Sequence, residues 1–167
     1  MTWLRASTML LLVLVVQSAV IAELQIWGVH GEIVILVPIA AGLTIGPDRG
    51  AVAGFIAGMA VDLLVTTPFG LNALTYSLVG YGVGAFQAGV LRSSRSLPIV
   101  AAVGGTALGI VFFALAATVV GQEGLLRGEL GRIVLVASVM NGLFVLPALR
   151  LARWVEAPSE RAMLGVR

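Results

Sequence analysis

The feature that most limits what this chain can become is a succession of six apolar runs. They cover residues 6–22, 33–46, 50–66, 71–91, 98–120 and 133–151, and charged side chains fall almost wholly in the breaks between them. A helix needs about 20 apolar residues to cross the hydrocarbon core of a bilayer, with a range of about 17 to 25. Hydrophobic residues make up 59% of the 167 and charged residues 11%, against about 25% charged in soluble proteins. A soluble core of this size has no room for so much apolar surface. The expected fold is all-α: a polytopic membrane protein, a six-helix transmembrane bundle forming a single integral membrane domain over residues 1–167.

The first run could be read as a secretory signal ending at Val20-Ile21-Ala22, but it exceeds the usual apolar core of about 7 to 15 residues. It is taken as a retained span. The second run is short: 14 residues rise only about 21 Å against a core of about 30 Å. Pro38 is expected to kink it. Arginine placement orients the chain. With the N-terminus in the cytoplasm, the inner side holds Arg5, Arg49, Arg92, Arg95, Arg150, Arg153, Arg161 and Arg167, and the outer side only Arg127 and Arg132. Both termini are therefore expected to be cytoplasmic. The connection over residues 121–132 is a solvated turn or a docking patch, and the tail from Arg150 onward, with Trp154, a topology anchor or a cytoplasmic docking segment.

Several chemistries are excluded. The chain has no Cys, so disulfides and thiolate sites are absent, and a single His, His30, rules out a multi-histidine metal site. The net charge is +2 and the pI about 9.9, yet the arginines stand singly or in pairs. They form no patch for nucleic acid. No nucleophile has a base placed to activate it. No catalytic residue, metal or cofactor is expected.

The third run carries the most information. Gly50, Gly54 and Gly58 recur every fourth residue, and the same step lands on Asp62. Residues four apart share a helix face, so a glycine groove ends in a carboxylate. Gly80 and Gly84, with Ala88, repeat the spacing in the fourth run, and Gly105 and Gly109, with Ala101, in the fifth. In lipid, helices associate through close van der Waals approach, which small residues permit. These faces either pack the bundle together or wait for a partner helix.

Asp62 is the only acidic residue inside an expected span. Its nearest donors lie across the turn at Thr67-Pro68-Phe69-Gly70: the free N–H groups and positive dipole end of the next helix, with Thr66, Thr67 and Asn72. Pro68 suits the first helical turn. A structural pin closing this hairpin is one reading; ligand or ion binding and proton coupling are the others. A pin predicts that Asp62→Asn folds nearly normally, because the amide oxygen still accepts, while Asp62→Leu does not. In the sixth run, Asn141 with Ser138 suits interhelical hydrogen bonding. Tyr76, Tyr81 and His30 read as packing or interfacial residues.

A glycine-rich helix ending in Asp, then Pro-x-Gly-x-Asn and an apolar helix with Tyr, resembles the MreD family of rod shape-determining membrane proteins. The residues are Gly54, Gly58, Asp62, Pro68, Gly70, Asn72 and Tyr81. Chain length, the polar Gln17-Ser18 near the end of the first run and the six-span plan agree with that family. The resemblance implies a non-enzymatic, multi-pass protein of the bacterial cytoplasmic membrane. Its implied partners are MreC, a single-span protein, and an elongation complex with the MreB filament, RodA and a class B penicillin-binding protein. The alternative is a substrate-binding subunit of an energy-coupling-factor vitamin or metal transporter, which short spans and an outward-lying carboxylate would suit.

Overall fold

A computed structural model describes residues 33–65, 68–89, 96–122 and 130–156. They form α1 (Leu36–Ile45), α2 (Pro47–Asp62), α3 (Leu71–Gly89), α4 (Leu97–Val119) and α5 (Leu130–Glu156). The expected first span, with Gln17 and Ser18, lies outside the described residues, as do His30, Thr66, Thr67, Arg92, Arg95 and Arg127.

Local chemistry sets the helix ends. Gly46 takes a φ of 95° between α1 and α2, and Pro47 opens α2, where a missing N–H removes no helical bond. Pro98 does the same in the first turn of α4. Pro38 corrects an expectation: α1 begins at Leu36, so Pro38 stands in the first turn, where no intrahelical donor is needed and no kink follows. The proline inside a helix is Pro147 of α5, which leaves the Leu143 carbonyl without its helical donor.

Successive helices α2, α3, α4 and α5 pack side by side, and α1 touches all four. The core gathers on α1 and the turn that leads into it, where Val34, Ile35, Ile39 and Ala40 are fully buried, against Ala57, Tyr76, Val83, Val145 and Leu149. Outside it the molecule is apolar again. Val52, Phe55, Leu78, Leu108, Val139 and Leu143 are half or more exposed. Continuous exposed apolar surface of this kind belongs in lipid, and the protein is an all-helical membrane protein.

Among the described residues two helices, Leu97–Val119 and Leu130–Trp154, are long and apolar enough to cross a bilayer. The remainder departs from a set of even spans. α3 has 19 residues but is diluted by Asn72, Thr75, Ser77 and its glycines. α2 has 16 residues and α1 only 10, rises of about 24 and 15 Å. α1 is nevertheless the most enclosed helix, because neighbours rather than lipid cover it.

Candidate functional site

Asp62 is the last residue of α2 and is 4% exposed. Across the turn, Gly70 adopts a φ of 92°, a left-handed conformation that favours glycine. Pro68 lies ahead of α3 rather than in its first turn, and its carbonyl accepts from the Leu71 N–H at 3.2 Å. That corrects the expected placement of Pro68. Gly70 therefore precedes α3 with no side chain to cap the exposed N–H groups of the first turn.

The Asp62 carboxylate supplies the cap from the neighbouring helix. Oδ2 accepts from the N–H groups of Gly70 at 3.0 Å and Ala73 at 3.2 Å. Oδ1 accepts from the Asn72 N–H at 3.2 Å and from Asn72 Nδ2 at 2.8 Å. All four donors come from the start of α3, where the helix dipole favours negative charge. In lipid no water replaces such a cap, so the burial of Asp62 follows from the helix end it serves. Both oxygens are occupied, which bears on the expectation for Asp62→Asn. An amide has one oxygen; its NH2 would face two N–H donors.

The glycines form a second feature. α2 and α3 meet backbone to backbone. A Cβ on Gly54 would run into the Tyr76 carbonyl, one on Gly58 into Ala73, and one on Gly80 into the Gly50 carbonyl. Gly50 would meet the Gly80 oxygen at 2.6 Å and Gly42 Cα at 2.8 Å, and Gly84 would meet Pro47 Cα at 2.6 Å. Gly42, Gly50 and Gly80 thus let three backbones converge. Gly105 and Gly109 behave differently: they face side chains, Val83 and Ile39 in one case and Ile35 and Val79 in the other. All seven glycines singled out by spacing turn inward. By contrast Gly82 and Gly104 meet nothing within 4 Å; both line an apolar groove of about 540 Å³ between α3 and α4, with Phe86, Leu108 and Phe112.

Gly42 escaped the spacing rule because it lies on another helix from its partner Gly80. Thr106 also escaped, although it is the one hydroxyl in the middle of the fifth run. It is fully buried and its Oγ1 accepts from Asn141 Nδ2 at 3.1 Å. Such interhelical bonds contribute about 0.6 kcal/mol on average and about 1.7 at most. A double-mutant cycle of Thr106→Val and Asn141→Leu, read by unfolding in micelles, is expected to give a coupling in that range. Zero coupling would remove this bond from the account of how α4 holds α5. Ser138 is buried on the same helix, Tyr76 is 1% exposed, and Tyr81 is 52% exposed.

A lipid-embedded helical bundle, locked by glycine contacts and a buried carboxylate cap, defines the class: a helical membrane protein. Among the described residues no group of His, Cys, Asp and Glu is placed to hold a metal ion. The chain belongs to the MreD family: the family model described as rod shape-determining protein MreD matches residues 1–155. It is a rod shape-determining membrane protein. No curated protein and no solved structure matches the chain significantly.

Proposed function

We propose that this protein is a non-enzymatic scaffold of the bacterial cell-elongation machinery. It holds an MreC-like single-span protein in the cytoplasmic membrane and through it supports peptidoglycan synthesis by RodA and a class B penicillin-binding protein along MreB. The observation that carries this reading is the family match over residues 1–155. In this reading the chain is one multi-pass domain of six spans with both termini cytoplasmic. Asp62, Pro68, Gly70 and Asn72 serve as its internal clasp. Gly50, Gly54, Gly58, Gly80 and Gly84 are engaged within the chain, so the partner contacts other parts of the lipid-facing surface.

The test is a crosslinked pull-down of the tagged protein from its own membranes, followed by mass spectrometry. Recovery of a single-span MreC-like protein with peptidoglycan synthases is expected. Recovery instead of an ATPase pair with a coupling membrane subunit would overturn the scaffold and make the chain a transporter subunit.

A further inference from the structure

The contacts of α3 fix the depth of its neighbours. Pro47, at the start of α2, lies against Gly84, and Gly105 of α4 lies against Val83. The turn joining α1 to α2 is therefore level with Val83 and Gly84. Both neighbours continue past it. α3 runs on to Gly89, about 7 Å further, and α4 starts at Leu97, about 12 Å beyond Gly105 at 1.5 Å per residue.

That further stretch is apolar and faces outward. Phe86 is 53% exposed, Ile99 41% and Val100 57%, and no charged residue occurs from Leu63 to Leu91 or from Ser96 to Gln122. These side chains belong in hydrocarbon. Yet Asp48 and Arg49, in the first turn of α2 beside that connection, are also exposed, and by helix register their backbone lies deeper than that of Phe86 or Val100. A charged side chain within the hydrocarbon is costly and is normally met by water or an opposite charge. The turn also joins the end of one helix to the start of another. Such backbone is tolerated at membrane depth only beside protein or water.

We propose that the bilayer surface is drawn in at this turn, so that phospholipid headgroups and their water fill a notch over Asp48 and Arg49, walled by the ends of α3 and α4. Short elements beside long ones produce local thinning of this kind. The inference rests on helix register alone and holds whichever partner the protein has.

The absence of Cys makes the test direct. Asp48→Cys and Phe86→Cys variants are reconstituted into phosphatidylethanolamine–phosphatidylglycerol vesicles, with a membrane-impermeant maleimide loaded on both sides by freeze–thaw. A flat surface exposes the shallower position first. The drawn-in surface predicts that Asp48→Cys reacts about tenfold faster than Phe86→Cys, because the reactive thiolate needs water. Arg49→Cys should follow Asp48→Cys, and in detergent with the bilayer removed the gap should narrow. Equal rates, faster reaction of Phe86→Cys, or no reaction at either position would overturn the proposal.

Discussion

Asp62→Leu is expected to leave no folded protein in the membrane. The substitution strips four donors at the start of α3 of their acceptor in a site that is 4% exposed. Each buried donor left unpaired costs about 1 to 3 kcal/mol. The sum approaches the whole stability of a typical domain, about 5 to 15 kcal/mol. Asp62→Asn should be intermediate rather than silent. With its NH2 on the Oδ2 side the amide faces the Gly70 and Ala73 N–H groups; on the Oδ1 side it faces the Asn72 N–H, while the Asn72 amide can turn its own oxygen to accept, so at least one backbone donor is left unpaired, a loss of about 1 to 3 kcal/mol. Membrane abundance and thermal unfolding of the purified variants measure both. Wild-type unfolding of Asp62→Leu would mean that the carboxylate contributes nothing to the hairpin.

The second large effect is expected from a single methyl group. Gly54→Ala and Gly58→Ala place a Cβ inside the backbone of α3. No flexible side chain stands there to give way. The two helices must separate along their length, and overpacking of this kind costs about 1 to 3 kcal/mol or more. Gly104→Ala is the matched control. Its Cβ meets nothing within 4 Å, and alanine gains about 1 kcal/mol of helix propensity over glycine. The expected order of unfolding temperature is Gly104→Ala at or above wild type, with Gly54→Ala and Gly58→Ala well below. If all three unfold alike, the α2–α3 contact is looser than its geometry.

What the sequence carried and what it withheld follow from the range of each interaction. The meeting of Asp62 with the start of α3 is legible because Gly70 lies eight residues away, and a hairpin has few ways to close over that distance. The inward turn of Gly105 and Gly109 is not legible, since spacing marks a face but not what the face meets. Gly82 and Gly104 show the limit from the other side: small residues that the fold leaves open. The short second run, residues 33–46, is close to the helix that forms, Leu36–Ile45; what the run does not show is that neighbours rather than lipid cover it. Pro38 is hard to place for a related reason. A proline bends a helix or begins one according to where that helix starts, and the apolar run that holds Pro38 extends on both sides of it. The two-oxygen demand on Asp62 lay beyond the sequence, which shows a carboxylate but not how many donors converge on it.

The clasp at Asp62 also has a consequence for the order of events in synthesis. Its partners lie only 8 to 11 residues downstream, so closing that loop sacrifices little chain entropy. The carboxylate can be satisfied as soon as the first turn of α3 has formed, while α4 and α5 are still to be made. A lone α2 would enter the bilayer with a charge and no counterpart. A paired α2 and α3 would enter with that carboxylate already hydrogen-bonded, as a unit on which later helices assemble.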